Sequence, residues 1–145
     1  MKVCLLYSTL NYMKNEQKER KEYIVFEGEK FTIEWYFDSR GKSISLDYLE
    51  SLEEEEQAKL FELMKLIGNA GVIKNKTKFR NEGDKIYAFK PQPHRFLCFF
   101  FEGQKIIVTN GFHKKTDKLP KNEKDRALKI KKDYEARVKR GNYYE

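Results

Sequence analysis

Cations at a regular spacing are the first residues in this sequence that could do chemistry. Lys74, Lys76, Lys78 and Arg80 occupy every second position. On a β-strand that period aligns four positive charges on one face and turns Phe79 toward a core. Like charges in a row repel, and a polyanion would relieve the repulsion while releasing counterions, which makes binding salt-dependent. The same row would also protect a solvated edge strand from aggregation. A second group, Gly111-Phe112-His113-Lys114-Lys115-Thr116, ends a β-rich run, while Lys90 and Arg95 flank the turn Pro91-Gln92-Pro93-His94. A hairpin at that turn brings Lys90 and Arg95 opposite each other and toward the second group. Arginine grips paired phosphate oxygens with a planar fork, and lysine supplies a point charge. A histidine transfers protons near neutrality. His113 is therefore the candidate proton-transfer group, with Tyr87 or one of the lysines as the alternative, against the plain reading of an idle surface histidine.

Other catalytic grammar is missing. There is no Gly-rich phosphate loop, no nucleophile elbow, no HExxH and no paired-carboxylate arrangement. No His, Cys or acidic cluster stands at metal-ligand spacing, so neither a metal nor a small-molecule cofactor is expected. Cys4 and Cys98 are too few and too far apart for a disulfide framework, and Cys98 reads as a small buried hydrophobe.

The chain that must position these groups has 145 residues, 39% of them hydrophobic and 37% charged, with a net charge of +7. That length fits one domain. The basic excess is local: residues 72–119 carry 11 Lys/Arg against 4 Asp/Glu, whereas residues 1–71 carry 10 against 14. One polyanion-facing surface follows. The longest apolar run, Phe96 to Phe101, falls far short of the ~20 residues a bilayer requires. The start resembles a signal peptide only until Ser8 and Thr9. The expectation is a cytoplasmic protein without a membrane partner.

Residues 1–22 read as a loosely attached leader, residues 23–140 as the domain and residues 141–145 as a short tail. Tyr23 to Phe26 and Phe31 to Phe37 predict a hairpin around Gly28. Leu46, Leu49 and Leu52 predict a short helix that Ser45 would cap. Ser51 and Glu54 form a capping-box pattern ahead of a helix to about Ala70, whose stripe is Leu60, Leu63, Met64 and Ile67. Gly68, Asn69 and Gly71 supply its stop. These two helices predict an antiparallel helical hairpin on a sheet. Lys85 to Lys90, Arg95 to Phe101 and Lys105 to Phe112 predict a meander with the apolar middle run at its centre. Pro120 then precedes a helix to about Arg140 docked through Ala127, Ile130 and Tyr134. The order ββ-αα-βββ-α is an α+β fold: a small antiparallel sheet with the helical hairpin and the C-terminal helix packed on it.

From about Phe31 to Tyr134 this pattern resembles the RelE/HigB superfamily of bacterial toxins, in particular its phage-derived branch. The resemblance runs through Phe31-Thr32-Ile33-Glu34-Trp35-Tyr36, Leu46-Asp47-Tyr48-Leu49, Lys78-Phe79, Lys85 to Lys90 and His94-Arg95-Phe96-Leu97. It is most specific at Gly111 to Thr116 with Pro120 and Ala127 behind, which looks like the branch's hGFxKKTxxxP signature. The resemblance implies a microbial-ribonuclease-like fold with helices on one face of a twisted antiparallel sheet. It also implies a metal-independent, ribosome-dependent mRNA endonuclease that inhibits translation and is held inactive by a cognate antitoxin. Carried over residue by residue, Arg95 would meet the scissile phosphate and Lys90 would stand where the family has an arginine, while Ala88 replaces a glutamate. Lys74, Lys76, Lys78, Arg80, Lys114 and Lys115 would bind RNA. Two other readings stay open: a catalytically weakened RNA- or ribosome-binding relative, and a phage structural or assembly protein.

Overall fold

The computed structural model describes residues 22–144; the leader and Cys4 lie outside the described residues, apart from Glu22. Among the described residues, six strands and three helices follow one another as β1 (Ile24–Glu27), β2 (Thr32–Trp35), α1 (Ile44–Glu50), α2 (Glu54–Ala70), β3 (Phe79–Asn81), β4 (Tyr87–Phe89), β5 (His94–Phe101), β6 (Lys105–His113) and α3 (Lys121–Lys139). The α+β class is the one expected, and the order differs from ββ-αα-βββ-α by one added strand, β3, ahead of the meander. The strands form one sheet in the order β1-β2-β6-β5-β4-β3. Four of its five pairings are antiparallel, whereas β2 and β6 run parallel, with Ile33 beside Ile106 and Trp35 beside Val108. That parallel pair joins the first hairpin to the meander.

The helices cover both faces, which corrects the one-face arrangement implied by the resemblance. On one face α1 lies against β6 and α2 spans β1, β2 and β4, burying Leu46, Leu49, Leu60, Met64 and Ile67 over Ile33, Phe89, Phe96 and Val108. On the other face α3 buries Ala127 and Tyr134 over Leu97, Phe99 and Ile107. The alternation along β5 explains the division: Phe96 and Cys98 point to the first core, Leu97 and Phe99 to the second. Both faces of this strand are therefore apolar, as its sequence requires. Cys98 is fully buried, and burial pushes its thiol well above the ordinary value.

Local chemistry departs from expectation at three places. Ser43, not Ser45, caps α1 by accepting from the Leu46 N–H at 3.3 Å. Ser45 lies two residues on, within the first turn, where it is buried and donates to the Val108 carbonyl at 3.1 Å. The capping box does not form. Glu53 occupies the N-cap of α2 without a side-chain bond, and the Ser51 hydroxyl donates back to the Tyr48 carbonyl at 2.5 Å. The tail is part of the core: Tyr143 is 1% exposed, accepts from the Phe37 N–H at 3.0 Å and stacks on Tyr36. Gly28 must lack a side chain because a Cβ there would stand 2.4 Å from the Gly68 backbone. That contact seats the β1–β2 turn on the end of α2, whose Gly68 carbonyl accepts from Lys30 and Phe31.

Candidate nucleic-acid site

Between the end of the sheet and the start of α3 lies a cleft of about 370 Å³ lined by Arg80, Glu82, Lys90, Arg95, Phe112, Lys114 and the 116–120 loop. Its construction follows from register. Arg95 pairs with Phe112 across β5 and β6, and paired residues of an antiparallel ladder share a face. Arg80 pairs with Ala88 on β3 and β4, and Ala88 belongs to the α3-side core. Lys90 follows two residues later and lines the same cleft. The fold thus brings Lys90, Arg95 and Lys114 together, and Arg80, expected in a separate stripe with Lys74, Lys76 and Lys78, joins them.

Arg95 is the buried centre of this group, only 5% exposed. Its guanidinium donates to the His94 carbonyl at 2.9 Å and to Gln92 Oε1 at 3.2 Å, both neutral acceptors. Burial lowers its proton affinity, partly offset by Glu82. The Lys90 ammonium donates to the Lys76 carbonyl at 3.0 Å. Burial first, then the charges of Arg95 and Arg80, hold it below the ordinary lysine value. Arg80 stands 3.9 Å from Glu82, whose side chain is 15% exposed, and Lys114 stands 3.6 Å from the exposed Asp117. A site with this surplus of partly desolvated cations can neutralise a phosphate.

Two expected contributors lie elsewhere. His113 pairs with His94 and therefore points to the opposite face from Arg95. There its ring meets His94 edge-on at 5.5 Å, and it does not line the cleft. His113 shares the end of the sheet with Arg95, but one residue of strand period turns it to the other side. Tyr87 likewise packs on Phe79 and Phe100 in the α2-side core. The expected strand through Lys74, Lys76 and Lys78 is also corrected. Asn75 nucleates a turn, its carbonyl accepting from Lys78 and Phe79 and its Oδ1 from Thr77, so β3 starts only at Phe79. The three lysines are exposed on that turn rather than aligned with Arg80. Lys115 is exposed beside the cleft but does not line it.

The sequence reading missed two features. Glu82, directly after β3, is a half-buried carboxylate within the cleft. On the α2 side, buried His94 bonds the Tyr48 hydroxyl through Nδ1 at 2.7 Å and the Glu56 carboxylate through Nε2. The hydrogen bond from His94 holds Glu56 below the ordinary carboxylate range, and burial raises the Tyr48 phenol. Glu56 had a sufficient local explanation in the first turn of α2, so nothing in the sequence tied it to His94. Gly111 belongs to this cluster too, since a Cβ there would approach the Tyr48 and Phe96 rings to 2.8 Å.

No helix among the described residues is long and apolar enough to cross a membrane. Residues 47–132, which include every cleft residue, match the family model described as Phage derived protein Gp49-like (DUF891). No curated protein matches the chain.

Proposed function

The chain belongs to the phage-derived Gp49-like family, and on that premise we propose that it is the toxin of a toxin–antitoxin pair, related to RelE and HigB, that cleaves mRNA on the ribosome. The observation that carries this reading is the buried Arg95, fixed on neutral acceptors among Arg80, Lys90 and Lys114. Cations held in a partly dry site are preorganised for the charge that grows on a phosphate in the transition state. The reaction has the 2′-hydroxyl attack the adjacent phosphorus, forming the O2′–P bond and breaking the P–O5′ bond, to leave a cyclic phosphate and a free 5′-hydroxyl. Arg95 holds the non-bridging oxygens. Glu82, the half-buried carboxylate of the cleft, takes the 2′ proton. Lys90, with its lowered proton affinity, gives a proton to the leaving 5′ oxygen. Lys114 and Arg80 flank the scissile group, while Lys74, Lys76, Lys78 and Lys115 add longer-range attraction for the RNA backbone. Cytoplasmic mRNA on the ribosome and a cognate antitoxin are the partners this role requires.

The test is toe-printing of a translated mRNA with the wild-type chain and with Arg95→Ala, Glu82→Gln and His113→Ala. New ribosome-dependent 3′ ends should vanish with Arg95→Ala, fall by about 10²–10⁴-fold with Glu82→Gln, and persist with His113→Ala. A second reading, a relative that binds the ribosome without cutting, is favoured by lysine rather than arginine at position 90. Ribosome co-sedimentation without new 3′ ends would establish it.

A further inference from the structure

Arg95 is aimed by the turn that precedes it. Its guanidinium donates to the His94 carbonyl at 2.9 Å and to Gln92 Oε1 at 3.2 Å, and both acceptors belong to the 91–94 turn. Lys90 leads into that turn, and the Lys114 N–H donates to its Pro93 carbonyl at 2.9 Å. Three cations of the cleft therefore take their places from one short piece of chain. What holds the turn lies on the other face of the sheet. The His94 side chain is 4% exposed. Its Nδ1 meets the hydroxyl of Tyr48 on α1 at 2.7 Å, and its Nε2 meets the carboxylate of Glu56 on α2. An ionised carboxylate only accepts, so in the neutral ring Nε2 carries the proton and Nδ1 accepts from the phenol. With both nitrogens engaged, the imidazole has one tautomer and one orientation. Tyr48 is fixed in turn. Its ring meets His94 and Phe96 edge-on, each at 5.6 Å, and closes over Gly111, where a Cβ would come within 2.8 Å of it.

A strut between two helices and a turn needs no polar atoms. An apolar side chain of histidine's size would pack there without the cost of taking imidazole nitrogens and a carboxylate out of water. Hydrogen bonds supply direction, which packing does not. We propose that Tyr48, His94 and Glu56 are positioning residues of the cleft: they fix the 91–94 turn from the α2 side and so set the direction of the Arg95 guanidinium on the α3 side. None of the three touches substrate. Their leverage comes from the closer of the two Arg95 acceptors, the carbonyl of His94 itself, because an imidazole held at both nitrogens also holds its own backbone. Preorganised donors stabilise a growing charge only where they meet it, and a displacement of about 1 Å costs about 10²-fold in rate. The effect on rate rests on the nuclease reading of the cleft, whereas the restraint on the guanidinium can be read without any reaction.

The experiment uses the full chain with isotope-labelled arginine, as wild type and as Tyr48→Phe, Glu56→Ala and Glu56→Gln. In the NMR spectrum a held guanidinium gives separate signals for its two terminal nitrogens, and a freely turning one gives a single averaged signal. The wild type should show the separate pair for Arg95, identified by its loss in Arg95→Met. Tyr48→Phe and Glu56→Ala should merge the pair. Glu56→Gln should restore it, because the amide oxygen still accepts from Nε2–H. On translated mRNA, kcat should fall by up to about 10²-fold with Tyr48→Phe and Glu56→Ala while KM stays unchanged, and Glu56→Gln should recover most of the loss. Arg95 signals that stay separate in Tyr48→Phe and Glu56→Ala would leave the three residues as a structural tie only, and the proposal falls. Merged signals already in the wild type overturn it too, as does a loss that appears in KM rather than kcat. A wild-type chain that cuts no mRNA removes the nuclease reading, and the nitrogen signals then decide the positioning alone.

Discussion

Replacing Arg95 with methionine should remove the activity and leave the fold almost as stable as before. Two opposing terms fix that balance. Methionine forfeits the bonds to the His94 carbonyl and Gln92 Oε1, each worth about 1.5–3 kcal/mol when one partner is charged, the longer one at or below the bottom of that range. Against this, a guanidinium that is 5% exposed and has no carboxylate bond among the described residues costs several kcal/mol of lost hydration, on the order of what the bonds return. The methionine stem also keeps the packing that the arginine methylenes supplied. The net change should stay within about 1 kcal/mol, which for a domain of this size is a shift of about 4 °C or less in Tm. Phe96→Ala, one residue along the same strand, should by contrast cost about 3–5 kcal/mol, because Phe96 is fully buried in the α2-side core.

The sign of the charge term follows from the direction of the shift. Burial lowers the Arg95 proton affinity in the folded state. The protonated form is thus destabilising at every pH below the folded value, which for a shifted arginine includes the whole working range. Stability that arginine forgoes at neutral pH is the signature of a group retained for function. Differential scanning calorimetry and the toe-print assay, run on the same preparations, measure both quantities. A fall of 10 °C or more with Arg95→Met would mean that the guanidinium mainly ties the 91–94 turn together, and the argument from an unpaired buried cation would collapse. Retained cleavage with unchanged stability would remove Arg95 from the phosphate site.

Glu56→Gln should flatten the acid limb of the stability curve. A carboxylate held low by its bond to His94 contributes above the unfolded value and is lost as pH falls through the folded one, so urea midpoints from about pH 5 to pH 3 should drop less in the variant. Gly111→Ala should cost about 1–3 kcal/mol by overpacking, since the new methyl meets two rings at 2.8 Å; an unchanged Tm would show that Tyr48 slides freely. Tyr143→Ala should cost about 3–5 kcal/mol in chemical denaturation, as for other large buried rings, whereas a mere tail would give no change.

The parts of the fold that could be read from the sequence are those in which one short segment carries its own instruction. The apolar run of β5, the stripe of α2 and the Pro120 start of α3 each bury a face that any packing must respect. Pairings between distant segments have no such local mark. The parallel contact of β2 with β6 joins Ile33 to Ile106, and its apolar residues would have suited an antiparallel neighbour equally well. Tyr143 was overlooked because four residues after a helix offer no periodicity to read. Its burial depends on Tyr23 just before β1, Tyr36 just after β2 and Tyr134 of α3 being gathered around it.

The candidate site shows the same division more sharply, because there the error is one of faces. Alternating lysines at 74, 76 and 78 suggested a strand, yet alternation of charge specifies a strand only if the intervening residues want a core. Here they are Asn75 and Thr77, which satisfy each other and the backbone in a turn, and polar side chains that bond locally compete successfully with a ladder. Arg95 and His113 were both assigned to the correct end of the sheet, but a shared end does not make a shared site. The register pairs Arg95 with Phe112 and His94 with His113, so adjacent residues of the Gly111-Phe112-His113-Lys114 segment alternate between the Arg95 cleft and the Tyr48–His94–Glu56 cluster. Gly111 and His113 serve the cluster, Phe112 and Lys114 the cleft. A contiguous motif on a strand is thus two interleaved half-motifs, and each half has to be weighed against the residues across its own face of the sheet. On the cleft side that leaves Glu82 and Lys90 beside Arg95 for the proton transfers we propose, and on the other side a buried histidine that ties α1, α2 and the 91–94 turn together through Tyr48 and Glu56.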